Sequence, residues 1–235
     1  MPCCQCRSKL ISSPDSPHQP QLILFDCDGT LTHSHQLIVH VMQRAFVDAQ
    51  CQSPADVLVM GVIGLSLPVA VRQLLRQSGQ AMAFADAIVE RFRDYYRQAE
   101  QEIVLYPDVI ETLELLQARG YWMGVVTGKS RSGLERVLER FDLKRFFAVW
   151  RTADCCHSKP HPAMALECMD EMGVTAQQTT LVGDADFDMQ MAKAAHVRAI
   201  GVSFGVASAE ALYQQGATQV VDAFAELQAC FSPLN

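Results

Sequence analysis

Residues 22–30 read LILFDCDGT, and this stretch decides the fold. Its apolar run, residues 22–25, ends at the carboxylate of Asp26 and is followed by Gly29, a pattern typical of a fully buried strand that enters a turn. Three similar runs follow along the chain: 122–127 (WMGVVT), 180–184 (TLVGD) and 199–203 (AIGVS). Because their apolar residues are continuous rather than alternating, we expect strands buried on both faces of a parallel sheet.

Helix signals lie between these strands. Asp108 with Glu111 predicts a capping box that opens a helix, and Gly120 predicts the end of that helix. Ser130 predicts the start of a second helix, and Gly173 the end of a third. The alternation of strands and helices predicts an α/β fold, with a parallel sheet core and helices on both of its faces.

The strand pattern is absent between residues 34 and 103, where apolar residues recur at spacings of three and four. Leu37, Val41 and Ala45 show this spacing, and residues 67–75 show it again. The periodicity predicts an all-helical insertion after the first strand. We therefore expect three parts, which are a flexible leader (1–20), a core (21–33 and 104–235) and a helical subdomain (34–103).

Composition narrows the range of functions. The 235 residues include 19 Lys and Arg against 26 Asp and Glu, so a nonspecific hold on nucleic-acid phosphates is not expected. The longest uncharged stretch, 57–71, contains glycines and a proline and is shorter than the ~20 apolar residues of a spanning helix. Residues 1–20 lack the apolar segment of a signal peptide. We expect a cytoplasmic monomer or weak homodimer with no membrane or nucleic-acid partner.

The nine cysteines are odd in number and irregularly spaced, which suits reduced thiols in a reducing compartment. A metal site at Cys3, Cys4 and Cys6 is not expected, because no second pair of ligands lies nearby. Cys155 and Cys156 lie close to two histidines, but adjacent cysteines seldom bind one tetrahedral ion. We expect no zinc site in either segment.

The chemistry is expected where the strands end, because ligands of open α/β sheets bind outside the carboxyl ends of the strands. Polar residues follow the predicted strands or lie in the loops beside them: Asp26 and Asp28, then Thr127, Gly128 and Lys129, then Lys159, then Asp184 with Asp188. Four carboxylates in one crevice would repel one another unless a hard cation lies among them, and Mg²⁺ prefers such oxygen ligands. Thr127 and Lys159 would then hold phosphoryl oxygens, which indicates phosphoryl transfer.

These residues resemble the four motifs of the haloacid dehalogenase-like hydrolases. The motifs are Asp26-Cys27-Asp28-Gly29-Thr30, Val126-Thr127-Gly128, Lys159-Pro160, and Gly183-Asp184 with Asp188. The resemblance covers residues from about 21 to 225 and implies a Rossmann-like core with the helical insertion as a cap. Residues 158–174 and 182–195 are most similar to the phosphoglycolate phosphatase group. The resemblance therefore implies that the substrate is a small phosphorylated metabolite, a phosphoglycolate-like monoester.

The resemblance also implies a role for each residue. Asp26 would be the nucleophile that forms an aspartyl-phosphate, and Asp28 would be the general acid and base. The predicted ligands of Mg²⁺ are Asp26, Asp28 through its backbone carbonyl, Asp184 and Asp188. The predicted phosphate-binding residues are Thr127, Gly128 and Lys159. Gly128 stands where many relatives have Asn, which leaves a backbone N–H and permits close approach to phosphate.

Other activities remain to be separated. Asp28 argues against a dehalogenase, which does not need a second acid. Phosphonate-cleaving members of the family need a lysine in the cap to form a Schiff base, and this chain has no lysine between Lys9 and Lys129. Phosphonate cleavage is therefore not expected. A phosphomutase uses the same catalytic residues and stays open as an alternative. A non-enzymatic phospho-acceptor module would have no evident use for Asp28 or for a large cap. We expect the loop 61–67 to lie over the site.

Overall fold

The computed structural model describes residues 21–234, so the predicted leader and its three cysteines lie outside the described residues. The strands in chain order are β1 (Leu22–Phe25), β2 (Thr32–His33), β3 (Val104–Leu105), β4 (Trp122–Val126), β5 (Val149–Arg151), β6 (Thr179–Gly183), β7 (Arg198–Val202) and β8 (Gln219–Val221). Six of them form one sheet in the order β5-β4-β1-β6-β7-β8, and every neighbouring pair is parallel. The predicted α/β fold is confirmed.

The α-helices of the described residues are α1 (His35–Asp48), α2 (Asp56–Met60), α3 (Leu67–Gln77), α4 (Ala85–Ala99), α5 (Val109–Ala118), α6 (Arg131–Arg140), α7 (Ala163–Met172), α8 (Asp186–Ala194), α9 (Ala209–Gln215) and α10 (Leu227–Cys230). Alternate residues of β1 point to opposite faces of the sheet. Phe25 packs with Leu113 of α5 on one face. Leu24 packs with Met164 of α7 and Met189 of α8 on the other. The helices therefore cover both faces, as predicted.

The order of the strands places the site. From β1 the chain reaches β4 and β5 on one side and then returns to β6 on the other side of β1. Residue Phe25 is in register with Val125 on one neighbour and with Val182 on the other. The carboxyl ends of β1, β4 and β6 therefore meet at the reversal of strand order, where α/β sheets bind ligands.

The chain between β2 and β3 is helical and has its own apolar core. Phe46 of α1, Val71 and Leu74 of α3 and Ile88 of α4 are fully buried in it. The two ends of this segment are joined by the antiparallel pair β2–β3, in which Thr32 faces Leu105. The exact division at residues 33/34 and 103/104 stays a prediction.

The local signals had mixed outcomes. Ser130 Oγ accepts a hydrogen bond from the Gly133 amide at 3.2 Å, and Gly173 ends α7 with φ of 66°, both as predicted. The capping box at Asp108 with Glu111 is wrong, because Asp108 has a left-handed backbone (φ 60°) and its side chain makes no capping hydrogen bond. A side-chain cap normally requires an extended backbone at that position. No helix of residues 21–234 is both long and apolar enough to cross a bilayer.

Candidate active site

Three buried carboxylates meet at the carboxyl edge of the sheet. Asp26 follows β1, Asp184 follows β6, and Asp188 lies in the first turn of α8. One oxygen of each lies within 4.8 Å of the other two, and all three residues are buried. Across residues 21–234, no other group of His, Cys, Asp and Glu side chains meets this geometry. Cys155, Cys156 and the histidines beside them do not meet it either.

Asp184 and Asp188 are held in place by their neighbours. Thr30 Oγ1 donates to Asp184 Oδ1 at 2.8 Å, and the Val206 amide donates to Oδ2 at 3.0 Å. The Ala185 amide donates to Asp188 Oδ2 at 3.1 Å. A Cβ on Gly29, which has φ of +89°, would lie 2.1 Å from Asp184 Oδ2, so only glycine leaves room for this carboxylate.

Lys159 is the cation of the cluster. Its Nζ lies 2.7 Å from Asp26 Oδ1 and 2.6 Å from Asp188 Oδ1, and its side chain is fully buried. Asp26 Oδ2 has no hydrogen-bond partner anywhere in the described part of the chain. Two of the three carboxylates, those of Asp26 and Asp188, thus share one ammonium group, and one oxygen of Asp26 has no partner.

Burial and mutual repulsion act on the acidities of these groups. Burial raises the pKa of Asp26 to about 7, against the opposing effect of Lys159. Burial, together with the charges of Asp26 and Asp188, raises the pKa of Asp184 well above its ordinary value. Burial opposes the charged form of Lys159, but Asp188 and Asp26 together raise its pKa. A divalent cation with oxygen ligands would relieve this repulsion, so the residues present fit a hard metal ion.

Asp28 belongs to a separate group beside the cluster. Its Oδ1 accepts a hydrogen bond from Ser34 Oγ at 2.5 Å and lies 2.9 Å from Lys129 Nζ. Lys129 Nζ also donates to Tyr96 Oη of α4 at 2.7 Å, and it lies 4.6 Å from the centre of that ring. Asp28 therefore has its own cation, distinct from Lys159.

Thr127 and Gly128 follow β4. Thr127 is buried, and its Oγ1 accepts a hydrogen bond from the Lys129 amide at 3.2 Å. A Cβ on Gly128 would lie 2.4 Å from Leu65 O and 2.7 Å from Gly64 O. The close approach at Gly128 is therefore to the backbone between α2 and α3, and this contact leaves no room for a side chain at position 128.

Of these groups, Asp26, Asp28, Thr127, Gly128 and Lys129 line one cavity of about 560 Å³. The loop after α2 closes over it, and the Ser66 amide donates to Ser158 Oγ at 2.8 Å across the gap. The predicted position of loop 61–67 agrees with this arrangement. Lining residues include the core groups Asp26, Asp28, Thr127, Gly128 and Lys129, the loop residues Ile63 to Leu67, and Phe92, Arg93, Tyr96 and Arg97 of α4.

A family model described as haloacid dehalogenase-like hydrolase matches residues 23–202. The chain belongs to the haloacid dehalogenase-like hydrolases. Within this family it is 33% identical to the "Probable phosphatase IndB" of Dickeya dadantii, over 88% of this chain and 91% of that protein. It is 31% identical to a phosphoglycolate phosphatase of Pseudomonas syringae pv. tomato, over 86% of this chain and 76% of that protein.

The fold of the chain is also similar to that of a solved structure. A crystal structure described as a predicted phosphoglycolate phosphatase from Haemophilus somnus 129PT superposes with a TM-score of 0.80 at 28% identity. The match covers 92% of this chain and 99% of that one. The haloacid dehalogenase-like fold therefore extends over nearly the whole chain, the helical segment included.

Most of the candidate site residues predicted from the sequence lie together, and three of their partners, Thr30, Ser34 and Tyr96, were not predicted. Thr30 lies in the quoted first motif, so its contact with Asp184 had a local signal. The contacts of Ser34 and Tyr96 had no local signal, because the sequence around both residues predicts only a helical segment and its start. Tyr96 and Lys129 are 33 positions apart and meet only through the packing of α4 over the core.

Proposed function

We propose that the chain is a Mg²⁺-dependent phosphatase that hydrolyses a small phosphate monoester through an aspartyl-phosphate on Asp26. One observation carries the proposal. Asp26 directly follows strand β1 and lines the cavity, with Lys159 on one carboxylate oxygen and no hydrogen-bond partner for the other among residues 21–234. In its ionised form, which a bound cation would favour, a carboxylate so placed is a nucleophile that needs no base to remove a proton.

The reaction has two balanced steps. In the first, an oxygen of Asp26 bonds to phosphorus, the bond between phosphorus and the ester oxygen breaks, and the ester oxygen takes the proton of Asp28 and leaves as an alcohol. In the second, water attacks phosphorus and gives a proton to Asp28, and the bond between Asp26 and phosphorus breaks to release phosphate. Asp28 thus ends as it began.

The phosphoryl group needs positive charge and hydrogen-bond donors. The side chains of Asp26, Asp184 and Asp188 and the backbone carbonyl of Asp28 would hold Mg²⁺, which supplies charge neutralisation for the phosphoryl oxygens when bound. The proposed phosphate-binding groups are the Thr127 hydroxyl, the Gly128 amide and the Lys159 ammonium. Lys159 supports this role because its Nζ already contacts Asp26.

The substrate class rests on the cavity and on the relatives. Arg93 and Arg97 of α4 line the cavity and offer cations to a substrate that carries a second negative group, such as phosphoglycolate. The Pseudomonas syringae relative is named for that activity. We propose a monomer or weak homodimer in the cytoplasm, a location supported by the six described cysteines, all of which are free.

Phosphate release from a panel of esters tests the proposal. The purified protein is assayed with phosphoglycolate, sugar phosphates, nucleotides and pyrophosphate, with Mg²⁺ or with a chelator. We expect Mg²⁺-dependent release, strongest for a small ester, and its loss in Asp26→Asn but not in the control Asp170→Asn on the exposed side of α7. Full activity with chelator, or in Asp26→Asn, would refute the mechanism.

A further inference from the structure

Lys129 is a buried cation that the proposed two-step mechanism does not use. Its side chain is 7% exposed, and its ammonium contacts Asp28 and Tyr96, whereas the ion pair with Asp26 is made by Lys159. Its backbone amide is fixed by the hydrogen bond to Thr127 Oγ1. The side chain is thus directed at the second acid from a firmly placed backbone.

The contacts at Asp28 divide its two oxygens. Both Ser34 Oγ and Lys129 Nζ approach Oδ1, and the side chain is 13% exposed on the cavity side. We therefore assign proton exchange with the substrate to Oδ2. As Asp28 gives its proton to the ester oxygen, negative charge develops on a carboxylate that already has an ammonium group 2.9 Å away. A cation preorganised at developing charge lowers the barrier.

Tyr96 is a second partner of the Lys129 ammonium. The hydroxyl accepts from Nζ at 2.7 Å, and the ammonium lies near the ring at 4.6 Å from its centre. Tyr96 belongs to α4, whereas Asp28 and Lys129 follow strands of the sheet. The contacts from Asp28 to Lys129 and from Lys129 to Tyr96 thus connect the second acid to helix α4, which lines the cavity.

We propose that Lys129 is a positioning residue that orients Asp28 for proton donation and that Tyr96 in turn fixes Lys129. The inference rests on the proposed phosphatase function. It makes Lys129 act through Asp28 and not by contact with the substrate. It also makes the orientation of Asp28 depend on the packing of α4 against the core.

Leaving-group dependence tests this role. The kcat/KM value reports the first step, in which an alkyl ester needs a proton from Asp28 and an aryl ester needs it far less. We expect Lys129→Met to lower kcat/KM for phosphoglycolate by about 100-fold, within the range of general acid catalysis, and for p-nitrophenyl phosphate by less than about 5-fold. Lys129→Arg, which keeps the charge, restores part of the loss. Equal losses for both esters would overturn the proposal.

A double-mutant cycle separates positioning from substrate binding. With Asp28→Asn already present, Lys129→Met should change kcat/KM for phosphoglycolate by less than about 3-fold, because the group through which it acts is gone. The same loss in both backgrounds would mean that Lys129 contacts the substrate, which overturns the proposal. A wild-type protein that releases no phosphate from any ester would refute the proposed function instead.

Tyr96→Phe keeps the test valid if Lys129→Met does not fold. It removes one hydroxyl and keeps the ring, and we expect kcat for phosphoglycolate to fall about 3- to 10-fold with KM unchanged. The matched control is Tyr95→Phe, because the Tyr95 hydroxyl bonds Asp48, away from the site. Equal activity of the two Phe variants would contradict the role of Tyr96.

Discussion

Gly128→Ala should prevent the loop between α2 and α3 from closing over the site. The added Cβ would lie 2.4 Å from Leu65 O, and a Cβ essentially never lies within 3.0 Å of a nonbonded heavy atom, so residue 128 and the loop must separate by at least 0.6 Å. The Ser66–Ser158 hydrogen bond of 2.8 Å spans the same gap and would lengthen with that movement. Overpacking of this kind costs about 1–3 kcal/mol.

This cost applies only to the closed arrangement, because an open loop leaves the Cβ without a clash. A difference of about 1–3 kcal/mol corresponds to a decrease of about 5- to 150-fold in the ratio of closed to open loop. We expect kcat/KM for phosphoglycolate to fall within that range, while the Tm of Gly128→Ala stays close to that of the wild type.

Steady-state kinetics and differential scanning calorimetry on the same preparations provide the test. Gly61→Ala is the matched control, because it lies near the start of the same loop and its Cβ would be 3.3 Å from the nearest atom. An unchanged kcat/KM for Gly128→Ala would refute the inference that this glycine is required for closure. A large loss in Gly61→Ala would show that the loop tolerates no change at all.

Three further predictions concern charge and capping. Because the metal-free folded state raises the pKa of Asp26 to about 7, it binds a proton more tightly than the unfolded chain, so metal-free stability falls as pH rises from about 4 to about 7. Mg²⁺ should therefore raise Tm more at pH 8 than at pH 5, and an equal rise at both would contradict the carboxylate site. Lys159→Met should abolish phosphate release. It should also destabilise the metal-free protein by about 3–5 kcal/mol in urea unfolding, because it leaves two buried carboxylates unpaired. A loss of stability below about 1 kcal/mol would count against the buried ion pairs of Lys159. Ser130→Ala should cost about 1 kcal/mol of stability without affecting KM, because it removes only the cap of α6; a change in KM would mean that this loop also shapes the site.

The sequence predicted the acidic cluster because its members come directly after buried strands or in the adjoining helical turn. In a parallel sheet those strand ends meet at one edge, so Asp26 and Asp184 converge whatever the loops do. Lys159 precedes α7 rather than a strand, and its motif made it a candidate. Residues that lie far apart in the sequence could therefore be predicted to meet wherever the sheet itself positions them.

The remaining features depend on packing that a linear pattern does not encode. The strands β5 and β8 have only three residues each, too few for a periodic signal. Asp108 has the residue type of a helix cap but not the backbone conformation, because its φ of 60° is left-handed. The contact of Lys129 with Tyr96 exists only because α4 lies over the core.

The central claim is a covalent phosphoryl group on Asp26, and its direct test is acid-quench mass spectrometry. Asp28→Asn is mixed with p-nitrophenyl phosphate and Mg²⁺, because the aryl group leaves without a general acid while the attack of water is slowed. We predict a phosphorylated peptide that contains Asp26, and none in the Asp26→Asn variant. Steady phosphate release without any phosphorylated protein, or a phosphoryl group on another residue, would contradict the account.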